Sequence, residues 1–213
     1  MTLLLMTVTR DAAWLTQDGI VQLRRIFGLG PLVIGRRRNK IVLSSAGSTA
    51  FATCGPTKLC SRIVAELAMA AEVSIDAVAA RIPHLRLSRG ARLVPFVVNA
   101  VGWSPWRERM LGLSWCNDGE QIELDECVDS ESVNVDIVLG HPESAELEEM
   151  DRRPPGSWDM ARRHLLIGVN ATRQSKARQL PNHAHIGGRL QTVRVTRDGA
   201  EIVQAADLDA LAA

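Results

Sequence analysis

The side chains able to do chemistry in this 213-residue chain form no familiar motif. The four cysteines, Cys54, Cys60, Cys116 and Cys127, lack CxxC spacing. No secretory leader accompanies them, so they read as reduced, packed thiols of a cytosolic-type protein. The five histidines make no HExxH pattern. His183 and His185 stand two apart in "PNHAHIGG"; that spacing suits a metal clamp or a polar loop, and the loop is the default. Arg36, Arg37 and Arg38 form a basic cluster, but a net charge of +1 favours a solvated turn over a nucleic-acid face. The chain's beginning, "MTLLLMTVTRDAAWLTQDG", is the remaining candidate. Its apolar run starts at Leu3. Either the first strand simply sits in the middle of a sheet, or residue 2 has chemistry to perform once Met1 is removed.

The elements that would position such a residue are legible in outline. "LLLMTVT" is nearly continuous in apolar residues, as a strand buried on both faces requires. "RDA" is a turn and "AWLTQDG" the returning strand. The following stretch, to the basic turn, holds a short apolar run and Gly and Pro punctuation. "KIVLSS" and "TAFATCG" predict a second hairpin. Pro56 suits the first position of a helix running to about Ala71, with Leu59, Ile63, Leu67 and Ala70 on one face. Ser74 can cap a second helix over 75–82, ended by Pro83. "LVPFVVNAVGW" predicts a strand, and "RMLGLSWCNDGEQIELDECV" a hairpin about Asp-Gly. "HPESAELEEM" reads as a short acidic helix, "DRRPPGS" as a loop, and "WDMARRHLLIGVNATRQSKA" as a helix of about five turns. "RLQTVRVTRDGAEIVQ" closes with a hairpin. Paired strands followed by paired helices imply an α+β fold, two antiparallel sheets face to face with helices outside. At 46% hydrophobic content a sizeable core is affordable. No apolar run approaches the roughly 18 residues of a membrane span, and "TLLLM" is too short for a leader. The expected setting is cytoplasmic, with neither membrane nor nucleic acid as partner.

Four stretches resemble the proteasome β-subunit superfamily of N-terminal-nucleophile hydrolases, in the layout of its simple bacterial members. They are "TLLLMTVTRDAAWLTQDG", "NKIVLSSAGSTAFATCG", "VAELAMAAEVSIDAVAARI" and "HIGGRLQTVRVTRDG", in the family's order and across nearly the whole length. From about Glu131 to Arg178 only the element order is similar. The resemblance implies a four-layer αββα sandwich as one domain, residues 1–213.

It also implies a site. Family members attack a carbonyl with an N-terminal threonine hydroxyl, a role that falls to Thr2 after removal of Met1. A hydroxyl needs a base within hydrogen-bond reach, and a free α-amino group titrates near pH 8, far below a lysine. With Met1 attached, that nitrogen is an amide and cannot act. Asp18, sixteen residues after Thr2, corresponds to the family's acidic partner. Lys40, twelve residues before Ala52, corresponds to its lysine. Lys40 would favour the alkoxide and depress the amine pKa; Asp18 would hold Lys40. The backbone N–H at Ala52, or within two positions, would be the oxyanion donor. No cofactor is implied. Read without the resemblance, Thr2 is a β-former, Asp18 a turn residue and Lys40 an extension of the basic turn.

The chain departs from the family's supporting residues. The serine expected before the third helix has only Ser144 nearby. An aspartate and a serine expected before the last Gly-Gly are replaced by about His183 and Ile186. Two functions follow. One is a threonine peptidase or amidohydrolase in a homo-oligomeric ring, with peptide or protein substrates and a regulatory ATPase or assembly partner. A non-peptide acylase is a variant of it. The other is a catalytically silent protein of the same fold, serving as a structural component of a larger complex or viral particle. "WSPWRERM" bears on the second: Trp103 and Trp106 either mark a contact surface or pack over the sandwich edge.

Overall fold

The computed structural model describes residues 3–23, 32–36, 40–88, 94, 96–116, 121–124, 145–152, 159–177 and 185–213. Two antiparallel sheets lie face to face. The first has the order β1-β2-β10-β11 and comprises Leu4–Val8, Ala12–Gln17, Arg189–Thr196 and Gly199–Asp207. The second runs β5-β6-β7-β8-β9, over Val42–Leu43, Thr49–Cys54, Val97–Ser104, Arg109–Cys116 and Gln121–Leu124. Helices α1 (Thr57–Ala71) and α2 (Ile75–Arg81) cover the second sheet. Helices α4 (Met160–Lys176) and α5 (Leu208–Leu211) cover the first, and α3 spans Ala145–Asp151. The result is the α+β, four-layer αββα sandwich that the paired strands and helices imply.

Side-chain alternation sorts the core into three layers. Leu3, Leu5 and Leu190 face α4, meeting Leu165, Ile167 and Ala171. Leu4, Met6, Leu15 and Val193 face the other way, against Ala50, Ala52, Val101 and Met110 of the second sheet. Phe51, Val98, Leu111 and Leu113 then face α1 and α2, where they meet Ile63, Val64, Leu67 and Val78. The first strand therefore has a different reason for burial than a central position. β1 lies at the edge of its sheet, yet it is buried along its length because a helix covers one face and a sheet the other.

Local chemistry moves several boundaries. Pro56 is the N-cap of α1, not its first helical residue. Ser74 caps α2 by accepting from the Ala77 N–H (3.2 Å), and the helix ends at Arg81. Pro83 then sits inside a 3₁₀ turn, Ile82–His84, where its missing N–H costs little. "KIVLSS" contributes only Val42–Leu43, and β7 begins at Val97. Ile20–Leu23 (β3) and Leu32–Arg36 (β4) form a separate two-stranded ribbon where the sequence suggested only an apolar run. The final hairpin extends to Asp207, whose carboxylate caps the unanticipated α5 through the Asp209 and Ala210 N–H groups. Thr2, Arg37, Arg38, Cys127, Ser144, His183 and the Asp-Gly pair of "NDGE" lie outside the described residues.

Candidate active site

The site is built where β1 begins and β2 ends. Asp18 follows directly on β2 and is fully buried. Its N–H donates to the Leu3 carbonyl (3.2 Å), and its Oδ1 accepts from the Leu3 N–H (3.1 Å). The residue after Thr2 is thus clamped at both its polar groups by one aspartate. The Lys40 ammonium lies 3.6 Å from the same Oδ1 and donates to the Ile20 carbonyl. Oδ2 accepts from the Gly187 N–H (3.4 Å), and the Gly19 N–H donates to the Gly187 carbonyl (3.3 Å). Asp18 therefore gathers the first strand, the Lys40 side chain and the Gly-Gly turn around a single carboxylate.

The Gly-Gly turn has little freedom. A Cβ on Gly187 would stand 2.6 Å from Asp209 Oδ1, and Gly188 has φ +68°. Asp209 Oδ2 in turn accepts from the Gly188 N–H (3.1 Å). Burial pushes the Asp18 carboxyl above its ordinary range. The Lys40 ammonium and the N–H groups of Gly187, Ile20 and Leu3 pull the other way without overcoming it. An ion pair at this depth is held for geometry, since desolvation offsets much of its attraction.

Ala52 is fully buried on the inter-sheet face of β6, in register with Asn99 of β7. Its neighbour Thr53 offers a carbonyl to the Gln17 amide, which ties the end of β6 to the end of β2. Asp18 and Lys40 thus meet directly, and Ala52 lies on the strand joined to them through Gln17. Ile186, directly before the Gly-Gly turn, is buried against α4. Its N–H donates to Ser175 Oγ (3.0 Å).

Two polar groups went unread in the sequence. The inter-sheet core is apolar along most of its length but turns polar at the Asp18 end. Gln17 and Gln191 stand opposite one another there, and Asn99 and Ser114 lie on the facing sheet. The signal was available: polar residues at inward positions of otherwise apolar strands. The second group lies under α4, where His164 is fully buried. Its Nε2 is 2.9 Å from Thr7 Oγ1 and its Nδ1 is 2.8 Å from Thr16 Oγ1. Thr16 donates onward to Thr192 (2.8 Å), an arrangement that assigns the ring proton to Nδ1. Burial, with Arg163 nearby, pulls its pKa down to about 3, so the ring is neutral.

The opposite end of the sandwich has a different character. A cleft of about 450 Å³ is lined by Arg10, Asp11, Trp103, Pro105, Glu108 and Arg197. Trp103 lies on β7, and the others come from the β1–β2, β7–β8 and β10–β11 turns, a strand length from Asp18. Arg197 stacks over the Trp103 ring at 5.6 Å. Trp103 packs on the inter-sheet core, whereas Trp106 is 92% exposed. The buried ion pair is the stronger pointer to chemistry, because a shallow polar cleft between turns is an ordinary surface feature.

No group of His, Cys, Asp or Glu suited to a metal occurs among the described residues, and no described helix is long and apolar enough to cross a membrane. Comparison with known proteins found no family model and no curated protein that matches the sequence.

Proposed function

We propose that the chain is an N-terminal-nucleophile amidohydrolase in which Thr2, exposed by removal of Met1, attacks an amide carbonyl. The observation that carries this reading is the buried Asp18 carboxylate, which holds both the Leu3 N–H and the Lys40 ammonium on one oxygen. The oxygen that binds the Leu3 N–H thereby also supports a cation. The free amine would accept the hydroxyl proton as the oxygen–carbon bond forms, then return it to the leaving nitrogen as the carbon–nitrogen bond breaks. Water would release the acyl group from the resulting ester. Lys40 would stabilise the developing alkoxide, Asp18 would position Lys40, and the N–H at or near Ala52 would receive the oxyanion. The same reading carries a peptide substrate, a homo-oligomeric ring with a regulatory ATPase partner, and a cytoplasmic setting.

A second reading, a non-catalytic assembly component, is favoured by the bare Trp106 indole and by Ile186 in place of a supporting hydroxyl. Intact mass and an epoxyketone probe separate the two. Loss of Met1 with a covalent adduct on Thr2, absent from Thr2→Ala, supports the hydrolase. Retained Met1 and no adduct sink it and leave the assembly role.

A further inference from the structure

The polar end of the inter-sheet core has an imbalance that the proposed chemistry does not use. Gln17 is 1% exposed and Gln191 is 5% exposed. They are cross-strand partners in register on β2 and β10. Gln17 reaches between the sheets, because its Nε2 donates to the Thr53 carbonyl on β6, and Gln191 shares its face. The Oε1 atoms of both side chains are buried without a hydrogen-bond partner among the described residues. Two orphaned carbonyl oxygens on cross-strand partners are a costly arrangement, since most buried polar groups in a fold are satisfied.

Both orphaned atoms are acceptors, so their complement is a small group with two donors. That complement is neutral. The nearest buried carboxylate, Asp18, is already engaged by Lys40 and by three backbone N–H groups. A cation would therefore enter a desolvated space with no free counter-charge. An anion would meet carbonyl dipoles of the wrong sign. Water and the –NH₂ of a carboxamide share the required chemistry.

We infer that Gln17 and Gln191 form a two-acceptor site for a neutral double donor at the end of the inter-sheet core. The donor is an internal water or a carboxamide borne by the substrate. The carboxamide source rests on the amidohydrolase reading, whereas the water source does not.

The test uses the full chain and does not require turnover. Side-chain amide resonances of Gln17 and Gln191 are followed by NMR while N-acetylglutamine amide, or its near-isostere N-acetylmethionine amide, is added. Water cross-relaxation is recorded on the unliganded protein. A saturable shift with the glutamine compound, at least roughly tenfold weaker with the methionine compound, assigns the site to a carboxamide. Equal or absent shifts with a long-lived water contact at either amide assign it to water. Absence of both the selective shift and the water contact overturns the inference. Denaturation of Gln191→Met gives an independent reading. Replacing an empty, orphaned acceptor by an apolar isostere is neutral or stabilising, so an unchanged or raised urea midpoint counts against the site and a lowered one supports it. Epoxyketone labelling of Thr2 is scored separately, so failure of the hydrolase reading leaves this result interpretable.

Discussion

Acid should destabilise this fold through one side chain, His164. The imidazole is fully buried between Thr7 and Thr16, and its pKa falls from 6.5 to about 3. A base whose folded pKa is depressed contributes stability above its unfolded pKa and loses it as pH falls. At pH 5 the unfolded chain has taken up the proton and the folded chain has not. The resulting loss is about 2 kcal/mol relative to pH 8, and it grows to about 3 kcal/mol at pH 4. Asp18 works in the opposite direction, because its folded pKa is raised and the folded state binds that proton more readily. The His164 contribution is therefore isolated by difference. Urea denaturation at pH 8 and pH 5 should show His164→Gln losing about 2 kcal/mol less than the native chain over that interval. With a slope near 2 kcal/mol per molar, that corresponds to about 1 M in midpoint. Equal pH dependence in the two proteins would refute the argument. Should the variant not fold, the imidazole resonances of the native protein decide the matter, since a ring that titrates above pH 5 in the folded state is not the neutral group described.

Other sites give sharper local tests. Lys40→Met leaves the Asp18 carboxylate buried without its cation and should cost about 3–5 kcal/mol at pH 7 by urea denaturation. Gly187→Ala drives a Cβ to 2.6 Å from Asp209 Oδ1 and should cost about 1–3 kcal/mol, read as a lowered melting temperature. Trp115, 5% exposed and edge-on to Phe96 at 5.1 Å, should lose about 3–5 kcal/mol as alanine. Trp106→Ala, at 92% exposure, should stay within about 0.5 kcal/mol in the same assay.

The sandwich was legible because its strands and helices are written in the period of their burial. "LLLMTVT" is apolar at successive positions because both faces are covered, and Leu59, Ile63 and Leu67 mark one side of α1. The β3–β4 ribbon was not legible, because a four-residue strand carries too little pattern beside Gly and Pro. Nor was α5, whose few residues depend on the Asp207 cap. Asp18 and Lys40 stand out in the sequence only through the resemblance, and their depth is written in no local pattern. Burial turns an ordinary turn aspartate into an ion pair that holds the first strand. His164 escaped notice for a related reason. Its partners, Thr7 and Thr16, lie on two strands 157 and 148 residues earlier in the chain, and no local window contains them.

The strand order of the two sheets separates them in time. Every neighbour in the second sheet is also a neighbour along the chain, β5 to β9. It can therefore form from the short β5–β6, β7–β8 and β8–β9 hairpins, joined across β6 and β7 by the segment that carries α1 and α2. The first sheet cannot, because β2 must wait for β10 and register pairs such as Thr16 with Thr192. Closing so long a loop is entropically expensive and slow. In the interval, the apolar hairpin that begins the chain has one side unprotected. It is the segment most exposed to aggregation or to capture by a chaperone, so the same topology that buries residue 3 last leaves the opening strand waiting for its cover.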